Sequence, residues 1–280
     1  MREVESKINT MKPSFVIIGG VKCASSSLYR YLNDHPLILP CKTKEPRYFN
    51  NRFWIQLLLK YPWYLNQFPK KGEAEAVGDW LDLGEDDKMH ASQFRKRIEP
   101  DKNYITGEAT ASTFMNVNPK RIKFIFPKMK LILLLREPAE RFISHYNMFV
   151  RLYNEGKARH KMSDLDSFIE KEITDFNAGK KTMILRQGNY MEKLPKWKSV
   201  FGENLKVFKS TDLKGEIANE TMNEICDFLK IPNHNFTSIL KVKYNSAGNS
   251  SKNSDALERL KDFYKPQLAA LEQDFGITFK

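Results

Sequence analysis

The chain has 280 residues, of which 41% are hydrophobic and 29% charged, and its formal net charge is +12. No stretch approaches the roughly 20 apolar residues of a membrane span, and the charged N-terminus lacks the apolar run of a signal peptide. The three cysteines are too few and too widely spaced for a disulfide framework or a metal site, so we expect a cytoplasmic globular protein with no metal and no membrane partner.

The first predicted elements are a strand, a tight turn and a helix. Residues 14–20, SFVIIGG, form a β-branched and aromatic run that ends in two glycines, which is typical of a buried strand. From Ser25 onward the apolar residues recur at helical spacing, and the serines there could cap the helix. Pro36 is expected to follow the end of this helix.

The middle of the chain contains a second strand and helix. Residues 50–105 are rich in aromatic side chains but have no clear period. Residues 130–135, KLILLL, predict a second buried strand. Pro138 suits the first turn of a helix, and the aromatic residues after it recur on one helical face.

The last third of the chain repeats the alternation of strand and helix. Residues 204–208 predict a strand, and residues 218–231 predict a helix with one apolar side. Residues 244–254 resemble a loop, and the helix after them is expected to be interrupted or restarted at Pro266. Strands that alternate with helices predict an α/β fold with a mainly parallel sheet and helices on both faces. We expect one domain over residues 1–280.

The first turn has the components of a phosphate-binding loop. Its two glycines let the backbone approach an anion closely, and Lys22 adds a mobile positive charge. A helix start also directs its N–H groups at one point in space. Three hydroxyl side chains occupy this helix start: Ser25, Ser26 and Ser27. The alternative is that the serines only cap the helix.

The second strand ends in a residue that argues against ATP or GTP as the ligand. The pattern G-x-x-x-x-G-K-[ST] is absent, and residues 130–135 lead into Arg136 and not into an aspartate that could hold magnesium. An arginine at the carboxyl end of a strand suits a phosphate group. Ser144, about two helical turns into the next helix, could reach the same oxygens. The alternative is an ion pair between Arg136 and a neighbouring glutamate.

These stretches resemble the sulfotransferases that use 3′-phosphoadenosine 5′-phosphosulfate (PAPS). Residues 15–36 are similar to that family's 5′-phosphosulfate loop, and LREPAERFISHY contains every position of its 3′-phosphate element, R-x-P-x-x-R-x-x-S-x-Y. Four more similar motifs follow the family's order: KTKEPRYF (42–49), WYLNQFP (63–69), GEATASTF (107–114) and GNYMEKLPKW (188–197). The resemblance covers nearly the whole chain and is closest to the branch of heparan-sulfate and other carbohydrate sulfotransferases. It implies the sulfotransferase fold, whose sheet is like that of P-loop NTPases.

The resemblance implies an enzyme that moves a sulfuryl group from PAPS to a hydroxyl or amine of a small-molecule or carbohydrate acceptor and releases 3′,5′-ADP. Lys22 would contact the oxygen that bridges phosphate and sulfate, and Arg136 and Ser144 would hold the 3′-phosphate. Tyr190 would lie near the adenine or belong to the core, and Lys252 would belong to a loop that closes over the nucleotide. The implied cofactor contacts are Lys22, Ser25, Ser26, Ser27, Arg136, Ser144, Tyr190 and Lys252.

The acceptor needs a base that takes its proton. The resemblance gives this role to Glu45 in KEPRYF, although a surface glutamate paired with a basic neighbour is the alternative. Glu108 in GEATAS is a second candidate, as base or acceptor-binding group, and His145 is a third. Trp63, in the aromatic-rich segment 50–105, is expected to contribute to the acceptor site.

The chain departs from the family's motifs at three alanines. Ala24 replaces the usual glycine of the first turn, and we expect alanine to be acceptable there only with a negative φ. Ala111 replaces a common proline. Ala109 stands where some carbohydrate enzymes have a lysine, which with the expected lack of a membrane anchor argues against an animal glycosaminoglycan as acceptor.

Two other functions are compatible with the basic charge. A nucleotide- or nucleic-acid-binding module would use the lysines and arginines without chemistry, but they are spread along the chain and no RNA-binding signature is present. A small-molecule kinase would need ATP and magnesium. We therefore expect no nucleic-acid partner, and the acceptor and the oligomeric state stay open.

Overall fold

The structure is a computed structural model that describes residues 10–51, 53–83, 89–241 and 254–279. The chain divides into two compact units. Unit 1 comprises Met1–Gly20, Ala24–Leu135 and Trp197–Asn245, and unit 2 comprises Val21–Cys23, Arg136–Lys196 and Ser246–Lys280. The expectation of one domain over residues 1–280 stays a prediction.

The strands of the described residues all lie in unit 1. They are β1 (Phe15–Gly19), β2 (Ile38–Leu39), β3 (Glu75–Leu83), β4 (Met89–Arg97), β5 (Ile105–Ala109), β6 (Lys130–Leu135) and β7 (Leu205–Lys209). Five of them form one sheet in the order β2-β5-β1-β6-β7, with every neighbouring pair parallel. The other two, β3 and β4, pair antiparallel. The predicted mainly parallel α/β fold is confirmed.

The central strand of the sheet, β1, is fully buried. Its residue Val16 lies between Glu108 of β5 and Leu131 of β6. Because the strands are parallel, β1, β5 and β6 present their carboxyl ends at one edge of the sheet, which is where open α/β sheets bind ligands. The predicted strands at 14–20, 130–135 and 204–208 correspond to β1, β6 and β7.

The helices of the described residues are α1 (Ser25–Asp34), α2 (Trp54–Leu59), α3 (Tyr61–Leu65), α4 (Thr113–Asn116), α5 (Pro119–Ile125), α6 (Pro138–Asn154), α7 (Leu165–Asn177), α8 (Leu194–Phe201), α9 (Ala218–Leu229), α10 (Thr237–Leu240) and α11 (Asp255–Phe275). The helices predicted after Ser25, after Pro138 and at 218–231 are confirmed as α1, α6 and α9. The expected interruption at Pro266 is wrong, because α11 continues through this proline and buries Tyr264 and Leu271 on either side of it.

Unit 2 has a core of its own, formed by three helices. Phe142 of α6 packs on Phe168 of α7 with their ring centroids 5.8 Å apart. Leu257 and Leu260 of α11 belong to the same buried cluster. Helices that bury their apolar faces against one another in this way hold α6 in place.

The aromatic-rich segment 50–105 resolves into α2, α3 and the β3–β4 hairpin. Lys96 of β4 ties this hairpin to the end of α1, because its ammonium group donates hydrogen bonds to the backbone carbonyls of Asn33, His35 and Ile38 at 2.7–2.8 Å. The carbonyls of Asn33 and His35 lie at the end of α1, where a helix leaves its last acceptors unpaired, and that of Ile38 belongs to β2. In the part of the chain that the structure describes, no helix is both long and apolar enough to cross a membrane.

Candidate active site

At the end of β1 the backbone of Gly19 lies very close to the backbone of Ala111. Gly19 has a φ of +142°, and a Cβ atom on it would lie 2.4 Å from the carbonyl oxygen of Ala111. Only glycine tolerates both this φ and this distance. The last residue of β1 is thereby packed against Ala111, just after the end of β5.

Helix α1 begins without a side-chain cap. Its N-cap residue is Ala24, which has φ +65° and ψ +21° and makes no side-chain hydrogen bond to the helix. The serines at the start therefore do not cap α1 as the simple alternative required. Ser25 and Ser27 are buried and Ser26 is half-buried. The first N–H groups of the helix, together with these hydroxyls, form an arrangement suited to a phosphate.

The expectation for Ala24 is wrong. Its φ is positive, so the turn holds alanine in the left-handed region. Lys22, two residues earlier, also has a positive φ, of +64°. A left-handed conformation costs a non-glycine residue roughly 1–2 kcal/mol. The turn is therefore strained at two positions.

In unit 2, Arg136 follows directly after β6, and its guanidinium pairs with Glu140 at 3.1 Å. The pair is partly exposed, and exposed pairs contribute only about 0–1 kcal/mol. Glu137 caps α6 by accepting hydrogen bonds from the N–H groups of Ala139 and Glu140. Ser144 is half-buried on the same helix. The ion pair with a neighbouring glutamate exists, but it is weak enough for an anion to replace it.

Tyr190 is fully buried and holds the backbone of Arg136. Its hydroxyl donates to the Arg136 carbonyl at 2.8 Å and lies 3.6 Å from the Cys23 sulfur. Burial raises the pKa of this hydroxyl well above its usual value. The side chain thus occupies the core of unit 2, and a contact with adenine stays a prediction.

Helix α11 braces the segment that carries Tyr190. The Gln267 side chain accepts a hydrogen bond from the Tyr190 N–H at 2.8 Å and donates one to the Gly188 carbonyl at 2.5 Å. The Tyr264 hydroxyl donates to the Leu185 carbonyl at 2.7 Å. We did not find these two residues from the sequence, because a glutamine and a tyrosine on a helix give no signal of a role beyond packing.

His145 is a buried residue of α6. Its Nδ1 lies 3.3 Å from a guanidinium nitrogen of Arg141, and its ring stacks on Phe149 at 5.1 Å. Burial, with the positive charges of Arg141 and Lys22, lowers the pKa of His145 to about 3. The imidazole is therefore neutral and weakly basic at neutral pH.

In unit 1, Glu45 lies on a strained surface turn. Glu45 and Arg47 have φ angles of +51° and +52°, and their side chains form an ion pair at 3.1 Å. The Glu45 side chain is 25% exposed, so its carboxylate remains accessible. The pairing expected of an ordinary surface glutamate is present, in a backbone conformation that is unusual for both residues.

Glu108, on β5, is a buried carboxyl group with few partners. Its Oε2 accepts a hydrogen bond from the Thr110 hydroxyl at 2.7 Å. Its Oε1 has no hydrogen-bond partner among the described residues, although the Tyr64 hydroxyl lies near the group. Burial, with a smaller contribution from the Glu45 charge, raises the pKa of Glu108 to about 8.

Thr110 connects the two glutamates of unit 1. Its hydroxyl oxygen also accepts a hydrogen bond of 3.3 Å from the N–H of Arg47, which belongs to the turn that carries Glu45. A change at Glu108 should therefore reach Glu45 through Thr110 and the Arg47 backbone. The structure brings these residues together, which the sequence could not show.

The predicted roles of Trp63 at the acceptor and of Lys252 at the nucleotide stay predictions. Trp63 lies on α3 with its side chain exposed. Its contact with an acceptor stays a prediction. Lys252 lies outside the described residues.

Comparison with known proteins places these features in a family. The profile of the sulfotransferase domain family matches residues 13–263. Carbohydrate sulfotransferase 15 of Homo sapiens is 25% identical over an alignment that covers 93% of this chain and 53% of that protein. The bifunctional heparan sulfate N-deacetylase/N-sulfotransferase 3 of Homo sapiens is 24% identical, over 85% of this chain and 25% of that protein.

The membrane-associated sulfotransferase kil1 of Dictyostelium discoideum is 28% identical over 55% of this chain and 26% of that protein. The chain therefore spans from about a quarter to about half of these curated relatives. Among solved structures, a sulfotransferase from Alicyclobacillus acidocaldarius shares the fold, with a TM-score of 0.64 and 22% identity over 96% of this chain and 97% of that one. Because the family profile matches most of its length, this chain belongs to the sulfotransferase domain family.

Proposed function

We propose that this chain transfers a sulfuryl group from PAPS to a hydroxyl or amine of a small-molecule or carbohydrate acceptor and releases 3′,5′-ADP. The observation that carries the proposal is the uncapped start of α1 behind the buried strand β1, with three serines at the point where its N–H groups are free of side-chain caps. In a member of the sulfotransferase family, such a site fits the 5′-phosphate of the donor.

The 3′-phosphate is assigned to Arg136 and Ser144. The weak pair with Glu140 at 3.1 Å can be exchanged for a phosphate, because a phosphate offers several acceptor oxygens and more negative charge. The bond from Tyr190 fixes the backbone of Arg136, so only the side chain of Arg136 needs to reorient. Positioning of this kind lowers the entropy lost on binding.

Glu45 is the proposed base, because the other two candidates are unsuitable. Glu108 has a pKa of about 8, so it already carries a proton at neutral pH and cannot accept another. His145 has a pKa of about 3 and is buried, which leaves it a poor proton acceptor. Glu45 has an accessible carboxylate.

The transfer is an in-line displacement at sulfur. As the acceptor oxygen or nitrogen bonds to sulfur, its proton passes to the Glu45 carboxylate. The bond between sulfur and the phosphate oxygen breaks, and its electron pair stays on that oxygen of 3′,5′-ADP. The Lys22 ammonium group stabilises this developing charge, and such stabilisation acts mainly in the transition state.

Nucleotide binding tests the first half of the proposal. Calorimetric titration should show one saturable site for 3′,5′-ADP and much weaker binding of ATP with magnesium. Arg136→Ala should weaken 3′,5′-ADP binding roughly 10- to 100-fold, since it removes a charge-assisted contact worth about 1.5–3 kcal/mol. Arg186→Ala is the matched control, because Arg186 lies in the same unit in an exposed pair with Glu192. Tighter binding of ATP would favour the kinase instead.

Turnover tests the second half. The names of the matched relatives make sugars the first acceptors to try with PAPS, followed by phenols and amines. Glu45→Gln should lower kcat by roughly 10²- to 10⁴-fold, the usual contribution of a general base. Its affinity for 3′,5′-ADP should not change. Full turnover in Glu45→Gln would remove Glu45 from the mechanism.

A further inference from the structure

Unit 1 carries an exposed apolar surface on α2. The apolar patch consists of Phe53, Trp54, Ile55, Leu58, Leu59 and Phe124, whose side chains are between 43% and 73% exposed. Leu57 is the one residue of α2 that is buried. The helix therefore turns most of its apolar side chains to solvent, which is the reverse of an ordinary surface helix.

The patch is continuous across two helices. Trp54 and Leu58 are four residues apart on α2, as are Ile55 and Leu59, so these four side chains share one face. The Trp54 ring meets the Phe124 ring of α5 edge-on, with centroids 5.5 Å apart. Six half-exposed large side chains make an apolar area on the order of several hundred Å², which marks an interaction site.

Positive charge surrounds the patch. Arg121 lies 5.7 Å from the centroid of the Trp54 ring, Lys60 follows α2 directly, and Lys120 is exposed at the start of α5. Neither residues 46–72 nor residues 109–136, the two stretches that contain the patch, include an aspartate or a glutamate. The partner of this surface should therefore be both apolar and negatively charged.

We propose that the apolar patch docks on the surface of an anionic lipid bilayer. Tryptophan and phenylalanine insert at the boundary between headgroups and acyl chains, and lysine and arginine beside them pair with anionic headgroups. The sequence led us to expect no membrane partner because it has no spanning segment. A surface that lies on the bilayer does not need one.

Two other occupants fit less well. In a symmetric dimer the patch would face its own copy, which would bring like charges of Lys60, Lys120 and Arg121 together at one interface. A sugar would leave its hydroxyl groups against Ile55, Leu58 and Leu59, which offer no hydrogen-bond partner. A lipid bilayer satisfies both the apolar side chains and the positive charge.

Sedimentation with vesicles tests the proposal. The chain should bind vesicles of phosphatidylcholine mixed with phosphatidylserine much more strongly than vesicles of phosphatidylcholine alone, and added salt should weaken the binding. The double variant Ile55→Ser and Leu59→Ser should bind at least about tenfold more weakly. Ile217→Ser is the matched control, since Ile217 is an exposed apolar residue of unit 1 outside the patch. Circular dichroism establishes that each variant is folded.

A further variant tests the contribution of positive charge to vesicle binding. Lys120→Glu should weaken binding to the mixed vesicles and leave binding to pure phosphatidylcholine unchanged. Three results would overturn the proposal: no binding to mixed vesicles, binding that the double variant retains in full, or a dimer in analytical ultracentrifugation that the double variant abolishes. The last result would assign the patch to a second copy of this chain.

Discussion

Glu108 should make the stability of this protein fall as the pH rises. The unfolded chain releases the Glu108 proton near the ordinary value of 4.5, whereas burial raises the pKa of the folded protein to about 8. Between these values the unfolded state ionises and the folded state does not. The free energy of unfolding then falls by about 1.36 kcal/mol per pH unit, or about 5 kcal/mol over the whole interval.

Glu108→Gln removes this pH dependence, because an amide stays neutral and can still accept the hydrogen bond from Thr110. Urea unfolding from pH 5 to pH 9 measures the effect for both proteins. The free energy of unfolding of the variant, relative to that of the parent protein, should rise by about 3 kcal/mol between pH 5 and pH 7. Between pH 5 and pH 9 the gain should approach about 4 kcal/mol, because part of the 5 kcal/mol is already lost at pH 5.

Glu224→Gln is the control for Glu108→Gln, because the Glu224 side chain is 56% exposed and a solvated carboxylate has no burial to relieve. A difference between Glu108→Gln and the parent that stays constant across the pH range would refute the reasoning. It would mean that water or a rearranged neighbour solvates the buried oxygen Oε1.

Two other predictions concern stability. Ala24→Gly should raise the free energy of unfolding by about 0.5–1 kcal/mol, because relief of the left-handed strain exceeds the added freedom of the unfolded chain. A lower free energy of unfolding for this variant in urea would contradict the strain at φ +65°. Lys96→Met should lower it by about 2–3 kcal/mol, because three carbonyl groups lose their donor. An effect no larger than that of Lys206→Met, at an exposed lysine, would mean that water replaces the donor.

Local patterns in the sequence were sufficient for the buried strands β1 and β6. β1 and β6 are runs of apolar residues, which can be recognised as strands without knowledge of their neighbours in the sheet. The position of Arg136 at the carboxyl end of β6 follows from the sequence, because Arg136 is the next residue after that strand. The strand β5 was missed, because Thr106, Gly107 and Glu108 interrupt any apolar pattern. These residues form a strand because β1 and β2 pair with them on either side, and such pairing is not local in sequence.

The site shows the same division between local and distant information. The family resemblance singled out Glu45 and Glu108 as candidates, but the fold of unit 1 sets their different exposure, which the sequence does not show. The conformation of Ala24 was predicted wrongly, because residue type alone makes a positive φ unfavourable for alanine. The turn between β1 and α1 imposes that conformation in spite of its cost.

Because α11 is hydrogen-bonded to the Tyr190 segment, the support for Arg136 is synthesised long after Arg136 itself. Arg136 is made early, yet the residue that fixes its backbone is itself held by Gln267, more than a hundred positions later. A ribosome that has completed β6 and α6 has therefore produced the arginine without its support. If Arg136 holds the nucleotide, a nascent chain should be unable to retain that nucleotide until α11 has emerged.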